Sequence, residues 1–186
     1  MENLATLLKD ANDCFYRAEY SKALSLYYKI LAEDLNNSFN YYNIGLTYEM
    51  LSEPELAVSY YKKSVRLDNN IRSVNNLARI YMDTIKNYDL AKEYLNFAIK
   101  TAPKDAEAYN AYGNLSFIEK DFKLAINYYK KSIFLDDKFF KNYFDIANVY
   151  YILNDKENAK KMIDKCLELK NNFLQGKELA EKIYAM

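Results

Sequence analysis

Apolar residues recur three and four positions apart along most of the chain, as in the segments EYSKALSLYYKIL and KNYFDIANVYYIL. This spacing places apolar side chains on one face of an α-helix, and residues with good helix propensity fill the segments. A short polar stretch follows each segment, and a second segment of the same kind begins after it. The pattern therefore predicts short amphipathic helices arranged in successive pairs.

Small residues mark a constant period in this pattern. The second helix of each pair carries an alanine, and successive alanines are 34 residues apart: Ala23, Ala57, Ala91, Ala125 and Ala159. The first helix carries another small residue: Ala11, Gly45, Ala78, Gly113 and Ala147. Because glycine costs a helix about 1 kcal/mol relative to alanine, the two glycines indicate close approach of the paired helices. A period of this length predicts stacked repeats that bury their apolar faces against one another.

Turn-forming residues separate the predicted helices. In Leu51-Ser52-Glu53-Pro54-Glu55, the serine hydroxyl is expected to cap the helix that follows, and Glu55 stands three residues later, as in a capping box. The proline falls within the first turn, where its missing N–H is tolerated. The sequence therefore predicts a helix start at this point.

The repeated segments, small residues and aromatic positions together resemble the tetratricopeptide repeat family, whose unit is a 34-residue helix–turn–helix. The resemblance implies an all-α fold, a right-handed α-solenoid of antiparallel helix pairs, over a single domain at residues 1–186. The third repeat carries one extra residue in its turn, and the second repeat has one fewer. The repeats run over 4–37, 38–70, 71–105, 106–139 and 140–173, and a capping helix covers 174–186.

Composition and charge argue against a nucleic-acid partner and against a membrane protein. Lys+Arg and Asp+Glu are both 26, which gives a net charge of zero. A nucleic-acid binder held by phosphate contacts needs a basic stripe, so no nucleic-acid partner is expected. No apolar run reaches the roughly 18–20 residues of a membrane span. The first residues, Met-Glu-Asn-Leu, lack the layout of a secretion signal, and a cytoplasmic protein is expected.

Candidate catalytic chemistry is sparse. The chain has no histidine, which removes the commonest general base and the commonest zinc ligand. With only three glycines it offers no phosphate-binding loop. Cys14 and Cys166 lie in opposite end repeats, and both are interpreted as packing residues. The sequence therefore predicts a non-catalytic protein without a cofactor or a metal.

The resemblance places the binding surface on the first helices of the pairs, which line the concave groove of tetratricopeptide proteins. Tyrosine is abundant, but most of the 20 tyrosines occupy core positions of the repeat. The predicted groove residues are Asn12, Tyr16, Phe39, Tyr42, Asn43, Arg72, Asn75, Asn76, Arg79, Asn110, Asn114, Phe117, Phe144, Asn148 and Tyr151.

Asparagines and two arginines stand out in this set. An amide offers both a donor and an acceptor, so the asparagines either hold a peptide backbone, or are solvated, or bind neighbouring turns. Arg72 and Arg79 lie two helical turns apart on one stripe and suit a carboxylate. The family's carboxylate clamp, which grips chaperone tails, is matched only in part. Asn12, Asn43 and Arg72 fit it, whereas Leu8 and Asn76 replace two of its cations.

The sequence therefore predicts an adaptor that binds a peptide segment or helix of a partner protein in its groove. The alternative is a structural protein that associates with copies of itself. A co-chaperone with a partial carboxylate clamp is a third reading. An affinity measurement on groove variants and light scattering separate the first two.

Overall fold

The structure, a computed structural model, describes residues 3–186 and contains eleven α-helices in that range. No strand occurs among the described residues, and the predicted all-α fold of paired helices is confirmed. The helices are α1 (Leu4–Tyr16), α2 (Tyr20–Glu33), α3 (Ser38–Met50), α4 (Pro54–Asp68), α5 (Ile71–Asp83), α6 (Tyr88–Thr101), α7 (Ala106–Ile118), α8 (Phe122–Leu135), α9 (Phe140–Ile152), α10 (Lys156–Leu169) and α11 (Leu174–Tyr184).

The chain forms two compact units, one ending at Tyr94 and the other beginning at Leu95. In the first unit, each of α1 to α4 packs against the helix that follows it. In the second unit, the same holds for α7 to α10, and α11 also reaches α9. A single domain over residues 1–186 stays a prediction, and its first two residues lie outside the described range.

The small residues lie where the sequence predicts helix crossings. All five alanines of the second helices are fully buried. The glycines of the first helices each face a tyrosine ring. A Cβ on Gly45 would lie 2.8 Å from Cδ1 of Tyr61, and one on Gly113 would lie 3.0 Å from Cζ of Tyr129. These rings explain why glycine stands at both positions.

The turn inside every helix pair contains a residue in the left-handed region. These residues recur every 34 positions, with φ between 58° and 63°, and none is glycine: Ala18, Ser52, Lys86, Lys120 and Asn154. Ser52 therefore does not cap α4, and the predicted capping box is wrong. Glu53 occupies the N-cap without a side-chain hydrogen bond, and Pro54 begins the helix as expected.

The third turn is one residue longer than the others. In the second pair, the Glu53 N–H donates to the carbonyl oxygen of Tyr48, five residues earlier, at 3.0 Å. The equivalent bond in the third pair runs from Asn87 to Tyr81, six residues earlier, at 2.8 Å. The extra residue lies between the end of α5 at Asp83 and the left-handed Lys86.

The last helix closes the core of the second unit. Leu179 and Ile183 of α11 are buried in one cluster with Ala159 and Ile163 of α10. The capping helix that the resemblance implies is therefore present, and it packs on the fifth helix pair.

Candidate functional site

The predicted groove residues lie on α1, α3 and α5 in the first unit and on α7 and α9 in the second. They differ in exposure. Tyr16 is 84% exposed and Phe39 53% exposed, while Asn75 is buried. Arg72 and Arg79 are exposed, and the other predicted residues are half-buried. The surfaces of the two units are described one at a time.

Two of the predicted asparagines accept a hydrogen bond from the hydroxyl group of a tyrosine in their own helix pair. The hydroxyl of Tyr27 donates to Oδ1 of Asn12 at 2.7 Å, and burial raises the pKa of Tyr27 to about 12. The hydroxyl of Tyr129 donates to Oδ1 of Asn114 at 2.9 Å. Each tyrosine lies 15 residues after its asparagine, in the same helix pair. In each of these asparagines the amide oxygen is therefore engaged by a tyrosine of the protein, and the predicted alternative, a hydrogen bond to a neighbouring turn, does not apply to it.

Tyr61 departs from this pattern and joins two helix pairs. Leu46 stands where an asparagine would accept its hydroxyl. The Tyr61 hydroxyl instead donates to Oε2 of Glu49 at 3.1 Å and accepts from Nδ2 of Asn76 at 2.9 Å. Nη2 of Arg79 donates to the other carboxylate oxygen of Glu49, whose side chain is only 17% exposed. The charge of Arg79 is therefore compensated within the protein.

Tyr61→Phe should lower the free energy of unfolding by about 1–2 kcal/mol, since the change removes both hydroxyl bonds and leaves Glu49 with one donor fewer. Urea unfolding followed by circular dichroism measures the loss. Tyr151→Phe is the matched control, because the Tyr151 hydroxyl makes no hydrogen bond with any described residue. Equal stability of the two variants would contradict a structural role for the hydroxyl of Tyr61.

Arg72, in contrast, makes no ion pair with any described residue. It is exposed at the second position of α5 and borders a cavity of about 310 Å³. Phe39 of α3 also lines it, together with Asp68 at the end of α4, the turn residues Asn69 and Asn70, and Ile71 of α5. The cavity thus combines a cation that makes no ion pair with an exposed aromatic ring, and the acidic Asp68 also borders it.

The aromatic residues predicted in the second unit are partly engaged in packing. Phe117 lies against Phe122 with ring centroids 5.7 Å apart. Phe144 meets the Phe173 ring edge-on at 5.1 Å. Tyr151 packs against the buried cluster of α9 and α10. These side chains contribute to the core as well as to the surface.

Asp145 of α9 is a polar residue of this surface that the sequence prediction omitted. Its Oδ2 accepts from Nδ2 of Asn110 at 3.1 Å, and the same Nδ2 lies 2.9 Å from Oδ1 of Asn142. Burial raises the pKa of Asp145 to about 6, although Asn110 and Lys141 partly oppose the rise. A lone acid in the otherwise apolar run YFDIA was the available signal.

Other chemistry is limited in the part of the chain that the structure describes. No group of three or more His, Cys, Asp or Glu side chains is placed to hold a metal ion there. Cys166 is buried, and burial raises the pKa of its thiol to about 11. No helix between residues 3 and 186 is long and apolar enough to cross a membrane.

Successive helix pairs with small residues at their crossings, present in both units, define an α-helical repeat protein. A family model for the tetratricopeptide repeat matches residues 40–71, 71–105, 106–139 and 140–173. The chain belongs to the tetratricopeptide repeat family.

Two relatives and one solved structure illustrate the similarity. The photosystem I assembly protein Ycf3 of Rippkaea orientalis is 36% identical over 104 residues, which cover 47% of this chain and 60% of Ycf3. The heat shock protein sti1 homologue of Schizosaccharomyces pombe is 37% identical over 71 residues, 38% of this chain and 12% of that protein. The chain thus spans less than two thirds of either relative. A thermophilic TPR protein of Thermus thermophilus, TTC0263, has the same fold, with a TM-score of 0.81, 17% identity and coverage of 99% of this chain and 100% of that one.

Proposed function

We propose that the protein is a non-catalytic adaptor that binds a peptide segment of a partner protein on the first helices of its repeats. The observation that carries the proposal is the Arg72 cavity, which is lined by Phe39, Asp68, Asn69, Asn70, Ile71 and Arg72. Arg72 makes no ion pair with Asp68, so its guanidinium group is available to a ligand. A free guanidinium binds a carboxylate through two parallel hydrogen bonds. The exposed Phe39 ring gives an apolar side chain of the same segment a surface to cover. An acidic residue next to an apolar one is the expected ligand.

The proposal differs from a carboxylate clamp. Arg79 is held by Glu49, and Leu8 and Asn76 offer no charge, so Arg72 is the cation that this surface of the first unit supplies. A single cation suits one carboxylate within a segment better than a tail with several. The similarity to the sti1 homologue covers too little of that protein to carry its role over.

Arg72→Glu should weaken binding of an acidic peptide by about tenfold or more, since it sets a carboxylate against a carboxylate. Randomised heptapeptides displayed on phage are selected on the wild-type chain, and the affinity of the enriched peptide is measured by isothermal titration. We expect enrichment of Asp or Glu beside an apolar residue. The variant should fold normally, because an acidic residue in the first turn of α5 is favourable for the helix.

Arg66→Glu, which makes the same charge change at an exposed position of α4, is the matched control. It should leave the affinity for the enriched peptide unchanged. Equal losses for the two variants, or enrichment of peptides without acidic residues, would contradict a specific role for Arg72.

Self-association is the second candidate, and exposed apolar side chains favour it. Phe134 is 81% exposed and Leu174 is 64% exposed, both in the second unit. A molecular mass that rises with concentration in light scattering would support assembly through these side chains. The name of Ycf3 describes an assembly protein, and both candidates agree with such a role.

A further inference from the structure

The carboxylate of Asp145 has no positively charged side chain in contact with it among the described residues. Its carboxylate accepts one hydrogen bond, from Asn110 of α7. Its other titratable neighbours are Tyr129 of α8 and Cys166 of α10, whose pKa values are raised by burial and also by the charge of Asp145. Lys141 of its own helix acts on Asp145 through its charge without forming an ion pair. No lysine or arginine among the described residues forms an ion pair with it.

The neighbouring hydroxyl and amide groups do not supply the missing donors. The Tyr129 hydroxyl donates its proton to Oδ1 of Asn114. Nδ2 of Asn110 is shared between Asp145 and Oδ1 of Asn142. A carboxylate packed in protein costs free energy unless a cation or several donors compensate it. Asp145 thus retains unused acceptor capacity.

Asn148, one turn further along α9, adds a second unused acceptor. In the first and fourth pairs, the residue 15 positions after the corresponding asparagine is a tyrosine, and its hydroxyl group donates a hydrogen bond to the amide oxygen of that asparagine. In the fifth pair that residue is Ile163, which cannot donate. The Asn148 amide accordingly makes no hydrogen bond with any described residue. Two acceptors therefore lie on one face of α9.

We propose that the Asp145 surface, formed by Asn110, Asn114, Asp145 and Asn148, binds the cationic side chain of an arginine or lysine in a partner's peptide segment. The oxygens of Asn110 and Asn114 already accept from Nδ2 of Asn114 and from the Tyr129 hydroxyl. An ammonium or guanidinium group supplies the donors that the Asp145 carboxylate and the Asn148 amide oxygen lack. A calcium or magnesium ion is a poor fit, because such ions need several oxygen ligands, commonly from more than one carboxylate. The raised pKa agrees with this assignment, since at pH 7 the group is mostly ionised but uncompensated.

This inference deepens the proposed function, since it takes the partner to be a peptide, but its test is independent of the Arg72 cavity. Arg72 belongs to the first unit and Asp145 to the second, and the two require ligand groups of opposite charge. Failure at Asp145 therefore leaves the result for Arg72→Glu untouched, and the reverse also holds.

The test is an NMR titration of the full chain with N-acetyl-arginine amide. N-acetyl-citrulline amide, which has nearly the same shape but no charge, is the matched probe. We expect saturable shifts of the Asp145 carboxyl carbon and the Asn110 side-chain amide with the arginine probe alone. Asp145→Asn should lower the affinity about tenfold or more, whereas Asp137→Asn, on the exposed α8–α9 turn, should not change it. Equal shifts with both probes, or an unchanged affinity in Asp145→Asn, would overturn the proposal.

A pH series gives a second readout. With a pKa of about 6, the ionised fraction of Asp145 falls about tenfold between pH 7 and pH 5. The affinity for the arginine probe should fall by about the same factor, and the Asp145→Asn variant should show no such change. An affinity that is flat between these pH values in the wild-type chain would contradict binding at the carboxylate.

Discussion

Gly113→Ala should lower the free energy of unfolding by about 1–3 kcal/mol, although alanine is the better helix former. The added methyl group would lie 3.0 Å from Cζ of Tyr129 and closer still to the ring edge. Tyr129 is almost fully buried and its hydroxyl is bound to Asn114, so the ring cannot move without loss of packing. This overlap outweighs the helix propensity gain of about 1 kcal/mol. Urea unfolding of the full chain measures the difference.

The fifth helix pair supplies the matched control. There Ala147 replaces glycine, and Ile163 replaces the tyrosine at the corresponding distance of 16 residues. In a Tyr129→Ile background, Gly113→Ala should therefore be neutral or stabilising, and a double-mutant cycle should give a coupling of about 1–3 kcal/mol. Additive effects would contradict a direct clash. Ala11 and Tyr27 do occur together in the first pair, so a tyrosine 16 residues later does not by itself exclude a methyl group.

Asp145→Asn should raise the free energy of unfolding at pH 7.5 by about 1–2 kcal/mol. The folded pKa of about 6 is higher than the ordinary value of 3.8. Between these values the folded state binds more protons than the unfolded state, so the carboxyl group stabilises the fold as pH falls and destabilises it as pH rises. The full difference corresponds to about 3 kcal/mol, and partial exposure of the side chain reduces it.

The gain should depend on pH in a defined direction. It should be largest above pH 6.5 and should disappear below about pH 3, where both folded and unfolded states carry a protonated carboxyl group. Thermal unfolding of wild type and Asp145→Asn across this range measures it, with Asp137→Asn as the exposed control. A gain that stays constant with pH would show that the amide improves packing and that burial of charge is not the cause. Increased stability together with lost binding is typical of a residue kept for function.

The helix pairs could be predicted from the sequence because their cause is local and repeated. Ala57 and its counterparts are required by a helix crossing that recurs at a fixed interval. Gly45 indicates a close approach of two helices even when the side chain that packs against it is not known. That side chain, the ring of Tyr61, lies in the next helix and could be inferred only from the period. Family resemblance places the candidate site on the first helices of the pairs, which stays a prediction, but it does not show which polar groups remain free.

The remaining features depend on contacts between helices that no periodicity describes. Arg72 and Arg79 look equivalent in the sequence, yet Glu49 of another helix engages Arg79 and leaves Arg72 unpaired. The residues with left-handed backbone conformation could not be recognised in the sequence either, because Ala18 and Lys120 are not glycine, the residue type usually found in that conformation. Asp145 gains its unusual pKa from the groups around it in space. Pairwise geometry, rather than residue type, decides each of these cases.

The chain of contacts from Asn76 through Tyr61 to Glu49 and Arg79 has a consequence for recognition. It ties α3, α4 and α5 together with polar bonds, so the two helix pairs that border the Arg72 cavity have a fixed relative position before any ligand arrives. A peptide entering this cavity therefore meets walls that are already in place. Little conformational entropy of the receptor is lost on association, and the affinity depends mainly on the ordering of the peptide itself.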